Sequence, residues 1–175
     1  MNKLISAMFL IATFSAFAAD GKPEAQYTVE VLDSFCIQNQ DDFKSIIPMA
    51  DAVGGKVLPN TQADPVMTEL GGNTVFIPYE GRNYMVAFAN GGGCTVITKD
   101  IDLLRLKGLL AKHFETVLID KQVSLAQVNE LYEVKAKGIY RGSIISIVYA
   151  QPETGYSEGS ISFIPTATVK SATRK

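Results

Sequence analysis

The sequence predicts an α+β fold: an antiparallel β-sheet of about five to six strands, two amphipathic helices packed on one face, and one disulfide. Apolar and β-branched segments follow one another across short glycine-containing turns, which is typical of antiparallel hairpins. Two further segments repeat apolar residues at helical spacing. Segregated helices and hairpin-joined strands favour the α+β class over alternating βαβ units.

The first nineteen residues predict a secretory signal peptide. Lys3 supplies the basic start, an apolar run extends from Leu4 to Phe14, and Ala16-Phe17-Ala18 then fits the small-x-small pattern of a cleavage site. This order is typical of an export signal. The alternative is an uncleaved membrane anchor, but the run is shorter than the roughly 20 residues that cross a bilayer. We therefore expect cleavage after Ala18 or Ala19 and a periplasmic or secreted protein.

The charge of the chain limits its partners. The whole chain carries a net charge of −2, and the signal holds one lysine and no acid, so the mature chain is more negative still. Nucleic-acid binding needs a basic field, and we expect no nucleic-acid partner. Because no second apolar stretch is long enough to cross a bilayer, we expect no transmembrane segment in the mature chain.

The two cysteines predict a structural disulfide. Cys36 and Cys94 are an even pair in an exported chain, which favours a bond between them. Closing so long a loop stabilises by about 4 kcal/mol in the chain-entropy description. A reactive thiol is the alternative, but it needs an acidifying neighbour, and His113 is the only histidine in the chain. With no ligand-like spacing either, we expect no metal site.

The region before the sheet predicts one short strand and one helix. Residues 27–32 partly alternate and favour a strand, with the start of a helix as the alternative. The first clear helix follows acidic residues at 41–42 and ends at the glycines at 54–55. Pro48 indicates a kink, or a start just before it. The apolar residues of this helix share one face: Phe43, Ile46, Ile47, Ala50 and Val53.

The middle of the chain predicts a loop and then three antiparallel strands. Residues 56–72 hold two prolines and two glycines and indicate a long irregular connection. Residues 73–79 and 83–90 form a hairpin across the turn at 80–82. After the glycines at 91–93, a third strand covers 94–98.

Two helices are predicted next. Asp100 or Asp102 can cap the longer one. Ser124 can cap a short third helix that ends at Leu131, with Leu125 and Val128 facing inward. The apolar stripe of the longer helix comprises Leu103, Leu106, Leu110, Phe114 and Val117, widened by Leu104 and Leu118.

The last third predicts further strands and a tail. Residues 131–137, 140–150 and 160–168 are strand-like, and the segment 152–155 is a turn signal. Residues 169–175 are a frayed basic tail. The chain therefore divides into a signal peptide at 1–19, a single domain at 20–168 and the tail.

One motif suggests hydrolysis but lacks its context. Residues 155–159 match the G-x-S-x-G nucleophile elbow around Ser157. That motif needs a helix after the serine and a histidine base that follows it in the chain. Here a strand follows, and His113 precedes the serine, so an ordinary turn explains the residues. The glycines at 91–93 lack the lysine of a phosphate loop, and we predict no catalytic residue and no cofactor.

Tyrosines at the hairpin turns indicate a contact surface. They flank the first and the last hairpin turn, and tyrosine is enriched at protein interfaces. The alternative is that tyrosine simply favours strands. The candidate binding surface comprises Tyr79, Glu80, Arg82, Tyr84, Tyr149 and Tyr156.

These observations lead to three hypotheses. The first is an exported, non-enzymatic bacterial protein that binds a protein partner in the envelope, of the inhibitor or immunity type. The second is an envelope protein that binds a small ligand or a lipid between sheet and helices, for which a large apolar cavity would be the evidence. The third is a cryptic hydrolase that uses Ser157 or paired acids.

Overall fold

The computed structural model describes residues 24–99, 102–138, 140–151 and 158–172, so the predicted signal peptide and its cleavage point lie outside the described residues. The helices are α1 (Glu24–Val31), α2 (Ile46–Ala52), α3 (Pro65–Glu69), α4 (Leu103–Phe114) and α5 (Thr166–Ala172). The strands are β1 (Lys56–Val57), β2 (Asn73–Tyr79), β3 (Arg82–Phe88), β4 (Cys94–Lys99), β5 (Thr116–Val123), β6 (Gln127–Val134), β7 (Ile144–Ala150) and β8 (Glu158–Ile164).

The strands form one antiparallel sheet in the order β1-β2-β3-β4-β8-β7-β6-β5. The mixed α+β class is confirmed, but the sheet has eight strands rather than five to six. The order divides the sheet into two halves that meet where β4 pairs with β8. Each half begins with helices and continues with four strands that pair in sequence order, and in the first half α3 lies in the connection between β1 and β2. We call residues 24–99 the first half and residues 102–172 the second half.

The hydrophobic core lies between the helices and one face of the sheet. Strand register sets Val86 opposite Val96, Val96 opposite Ile161, and Ile161 opposite Ile147. Residues opposite each other in antiparallel strands share a face, so these side chains form one buried row across the join. The same buried cluster contains helix residues, among them Val31, Ile46, Leu106 and Leu110.

The predicted strand at residues 27–32 is wrong. Helix α1 covers Glu24–Val31, and a π-helical segment continues it through Leu32–Ile37. Tyr27 and Val29 are buried, and α1 packs against α4 and contacts β4. The β-branched residues here carry a local strand preference that this burial overrides, since propensity is weaker than tertiary packing.

The start of helix α2 places Pro48 in its first turn. The carboxylate of Asp42 accepts a hydrogen bond from the Lys44 N–H and caps a 3₁₀ turn, and α2 follows from Ile46. Pro48 then lies in the first turn, where its missing N–H breaks no helical hydrogen bond. This confirms a start just before Pro48. The chain leaves the helix through Gly54, whose positive φ of 79° suits glycine.

The predicted irregular segment 56–72 contains two short elements. Lys56 pairs with Phe76, which adds β1 to the edge of the sheet. The carboxylate of Asp64 accepts a hydrogen bond from the Met67 N–H and caps α3. Short pieces of this kind follow from a local cap and from pairing with an edge, and composition alone does not indicate them.

Helix α4 confirms half of the predicted stripe. Asp102 caps it by accepting from the Arg105 N–H, and Leu106, Leu110 and Phe114 are buried. Asp100 lies outside the described residues. Glu115 takes a left-handed conformation that ends the helix. Leu103 is half-buried and packs against the core as predicted, whereas Leu104 is exposed, and Val117 and Leu118 are exposed residues of β5.

The predicted third helix after Ser124 is also wrong, because β5 and β6 form a hairpin there. The Ser124 hydroxyl donates to the Gln127 carbonyl and accepts from the Gln127 N–H, so it closes the turn. Leu125 is fully exposed at the tip, whereas Val128 is buried. Two apolar residues three apart fit a helix face and a turn equally well, which explains the error.

The final elements shift from their predicted limits. Strand β6 begins at Gln127 rather than at residue 131, and β8 ends before Pro165. Helix α5 then covers the predicted end of the last strand and residues 169–172 of the predicted frayed tail. Residues 173–175 lie outside the described residues.

Candidate functional site

The predicted disulfide is confirmed. Cys36 and Cys94 are bonded with an S–S distance of 2.00 Å, and both are fully buried. The bond joins the π-helical segment to the start of β4. Since these are the only cysteines of the chain, neither sulfur is available as a nucleophile in this state.

The predicted surface on the first hairpin is largely tied to α1. Tyr84 donates a hydrogen bond to Glu24 at 2.6 Å, and the Arg82 guanidinium forms an ion pair with the same carboxylate. Arg82 also lies 4.4 Å from the ring centroid of Tyr27. We call these four residues the Glu24 cluster.

The Glu24 cluster leaves little of that surface free for a partner. Tyr84 is only 1% exposed, so its side chain belongs to the core and not to a contact surface. Burial, and then the hydrogen bond to Glu24, raise the pKa of Tyr84. Tyr79 is half-buried and donates to Glu30 at 3.2 Å. Glu80, at the tip of the turn, is the exposed member.

The second half contains a polar cluster that the sequence did not reveal. Glu130 in β6 is 3% exposed and faces the helices. Its Oε2 accepts from Lys107 of α4 at 2.6 Å and from Tyr132 at 2.7 Å. Its Oε1 accepts from Lys121 of β5 at 3.1 Å and from Tyr149 of β7 at 3.2 Å. We call these five residues the Glu130 cluster.

Strand register assembles the Glu130 cluster. Glu130 pairs with Lys121 on one side and with Ile147 on the other, within the buried row that crosses the sheet. Lys107 reaches the carboxylate from above and lies 5.2 Å from the ring centroid of Tyr149. Tyr149, predicted as a surface residue, is thus half-buried inside this cluster. Tyr156 lies outside the described residues.

The cluster holds Glu130 in its ionised form. Burial raises the pKa of Glu130, but the hydrogen bonds from Lys107, Tyr132 and Lys121 outweigh it and bring that pKa down to about 2. Burial and the bond to Glu130 raise the pKa of Tyr132 in turn. A carboxylate with four donors and so low a pKa is a poor proton acceptor at neutral pH, so we interpret the cluster as structural.

Exposed apolar side chains concentrate on the β5–β6 hairpin. Among the described residues β5 pairs with β6 alone, so its outer side is an open sheet edge. Both faces of this edge strand carry apolar residues that solvent reaches. We call this set the edge patch: Val117, Leu118, Ile119, Val123 and Leu125.

Two clefts have the size of a small-ligand site. One of about 390 Å³ lies between α1 and α4, where Glu30 and Asp33 face Leu109 and the exposed His113. Another of about 380 Å³ lies on the far face of the sheet, beside Thr95. Both are lined by mixed polar and apolar groups, unlike the large apolar cavity that the lipid-binding hypothesis would need.

The hydrolase hypothesis gains no geometry. Ser157 lies outside the described residues, and the side chain of His113 is exposed on α4.

Comparison with known proteins gives no family model, no curated protein and no solved structure that matches the chain. Within the described ranges, no helix is both long and apolar enough to cross a membrane.

Proposed function

We propose that this is a non-enzymatic exported protein that acts in the periplasm by binding a protein partner, and that the edge patch is its contact surface. The supporting observation is the open outer edge of β5, which carries apolar side chains on both faces. We propose that it is of the inhibitor or immunity type, because such proteins act by binding and covering another protein.

The edge patch has the chemistry of a contact surface. Scattered apolar residues are normal on a protein surface, but a contiguous group often marks an interaction site. An unpaired strand edge also offers backbone N–H and C=O groups to an incoming strand. By contrast, the hydroxyls of three hairpin tyrosines already donate hydrogen bonds within the chain: Tyr84 to Glu24, Tyr79 to Glu30 and Tyr149 to Glu130. The edge patch therefore replaces the tyrosines as the proposed surface.

The proposed compartment rests on the disulfide. A buried bond such as Cys36–Cys94 forms and persists where the surroundings are oxidising, as in the periplasm. The predicted signal peptide leads to the same compartment.

Capture from an envelope extract tests the proposal. The mature chain with its disulfide intact serves as bait, beside a variant with Ile119→Lys and Val123→Lys in the edge patch. Leu104→Lys is the matched control, because Leu104 is an exposed leucine on α4, outside the patch. We expect one stoichiometric protein with the wild type and the control, and its loss with the patch variant. Equal capture by all three would refute the edge patch as the surface.

Small-ligand binding is the alternative function, and the cleft between α1 and α4 is the observation that favours it. Its lining combines the carboxylates of Glu30 and Asp33 with Lys137 and an apolar wall, which suits a small ligand with both charged and apolar groups. Native mass spectrometry of protein purified from the periplasm would detect such a ligand. A bound mass together with no protein partner would favour this alternative.

A further inference from the structure

We propose that the edge patch binds a second copy of this chain, by antiparallel pairing of two β5 strands about a twofold axis at Gln122. This inference rests on the proposed function, because it names a partner for the same surface. It follows from the direction of the backbone groups on β5, from the order of its charges and from the side chains that the pairing would cover.

The backbone of β5 offers a defined set of outward groups. The Ser124 N–H donates to the Gln127 carbonyl at 2.9 Å, which closes the hairpin. In an antiparallel ladder successive residues direct their N–H and C=O groups to opposite sides. Val123 and Lys121 therefore direct theirs away from β6. The Lys121 N–H is held only by the carboxylate of its neighbour Asp120, at 2.8 Å and exposed to water, so this bond is easily exchanged.

A twofold axis at Gln122 uses all of these groups. It sets Lys121 opposite Val123 of the second copy, and Val123 opposite Lys121 of the second copy. Both residues of each pair direct their backbone outward, so each pair exchanges two N–H···O bonds. The helix-covered faces of both copies then lie on the same side, in one continuous sheet.

Other positions of the axis are worse. An axis at Asp120 or at Lys121 sets that residue opposite its own copy, and like charges directly opposite each other destabilise a strand pair. An axis at Val123 pairs Lys121 with Leu125, whose backbone belongs to the turn, and loses the second pair of bonds. The order of charges on β5 therefore selects Gln122.

The side chains fit the same register. Ile119, the extra residue of the bulge, then lies near the turn residue Leu125 of the second copy, and this contact occurs twice. Asp120 lies opposite the uncharged Ser124, and the two Gln122 amides face each other. Pairing thus covers Leu125, which is fully exposed in the single chain. Burial of these apolar side chains supplies the driving force.

The expected dimer is reversible. Because the paired stretch is short, we expect the contact to bury less than the roughly 1,000 Å² that a stable specific interface needs. Lys121 and the bulge between Leu118 and Asp120 also weaken strand pairing at this edge, as edge charges and bulges commonly do. We therefore expect a monomer–dimer equilibrium in the micromolar range.

A cysteine placed on the axis tests the register. Gln122 would form a non-hydrogen-bonded pair with its own copy, with Cα atoms about 4.5 Å apart, which a disulfide can bridge. We expect Gln122→Cys to give a covalent dimer under mild oxidation. Asp120→Cys is the matched control, because its two copies would lie roughly 13 Å apart along the strands. It should stay uncrosslinked at the same concentration, as seen on non-reducing gels.

Sedimentation of the wild type and of Val123→Pro provides a second measurement. Proline removes an N–H that faces the second copy and not β6, so the fold should persist while the dimer is lost. Equal crosslinking of both cysteine variants, or a wild-type monomer well above micromolar concentration, would overturn the inference. A monomer that still captures an envelope protein through the edge patch would leave the proposed function standing. A dimer that captures no other protein would support the pairing of two β5 strands and would contradict binding of a different envelope protein.

Discussion

Each half of the sheet contains a carboxylate that binds both a cation and a tyrosine hydroxyl, and the two carboxylates differ in origin and burial. In the first half, helix α1 supplies the acid, Glu24, and β3 supplies the cation, Arg82. In the second half a strand supplies the acid, Glu130, and α4 supplies the cation, Lys107. The Glu24 side chain is 26% exposed, whereas Glu130 is 3% exposed. The same kinds of side chain thus form an open network in one half and a buried network in the other.

The half with the more exposed carboxylate is the one that contains the disulfide. The disulfide Cys36–Cys94 lies within the first half, and the chain has no other cysteines. The first half therefore combines a covalent link with a partly solvated ion pair. In the second half, Glu130 instead accepts four hydrogen bonds that tie three strands and one helix together. A desolvated carboxylate with enough donors can serve there as the link between elements.

Loss of the disulfide should have the largest effect. The bond closes a loop with a sequence separation of 58, and chain-entropy reasoning gives a loss of about 4 kcal/mol when it is removed. Urea unfolding of the Cys36→Ala, Cys94→Ala double variant measures it. Hydrogen exchange should show β2–β4 losing more protection than β5–β7. Equal loss in both halves would contradict the division of roles.

Removal of Glu130 should follow in size. Glu130→Ala leaves Lys107 and Lys121 without their shared carboxylate and two tyrosine hydroxyls without an acceptor. Because both lysines reach solvent, we expect the lower end of the range for broken buried pairs, a loss of about 3 kcal/mol.

The matched variant in the first half should lose less. Glu24→Ala opens a partly solvated site, and we expect a loss of about 1 kcal/mol. Glu133→Ala is the control within β6, since Glu133 pairs with Lys135 at the surface, and its effect should stay within about 0.5 kcal/mol. Equal urea midpoints for the Glu24 and Glu130 variants would remove the distinction between the two clusters.

The contrast between the halves also marks what the sequence could reveal. Strands β2 to β4 are predicted because their apolar, β-branched and aromatic-rich segments are separated by a glycine-containing turn at 80–82 and by a glycine run at 91–93. In the structure β3 begins at Arg82, so the first turn has two residues. At that turn, Glu80 and Gly81 both take positive φ, as a tight hairpin turn requires. The disulfide followed from the cysteine count and the export signal.

The Glu130 cluster had only a weak signal. Glu130 stands between Val128 and Tyr132, at an inward position of an alternating strand, and a buried acid at such a position implies a partner. The partners come from β5, β7 and α4, so they are identified only once strand order is known. Because a helix is expected at residues 124–131, the sequence predicts neither the alternation along β6 nor the edge patch.

Acid should weaken the second half more than the first. The pKa of Glu130 falls from 4.5 to about 2 on folding, so its stabilisation is complete above about pH 4.5 and is lost as pH falls toward 2. The full shift corresponds to at most about 3 kcal/mol, and solvent near the lysines reduces our expectation to about 2. The stability difference between wild type and Glu130→Gln should shrink across this window. A difference that is constant with pH would contradict the low pKa.

Removal of single hydroxyls should give small effects that rank the bonds within the cluster. Tyr132 donates to Glu130 at 2.7 Å and Tyr149 at 3.2 Å. The shorter bond should contribute more, so we expect Tyr132→Phe to cost about 1 kcal/mol and Tyr149→Phe about half of that. Both variants keep the ring, and with it the contact between Lys107 and Tyr149. Urea midpoints in the reverse order would contradict this ranking of the two hydrogen bonds.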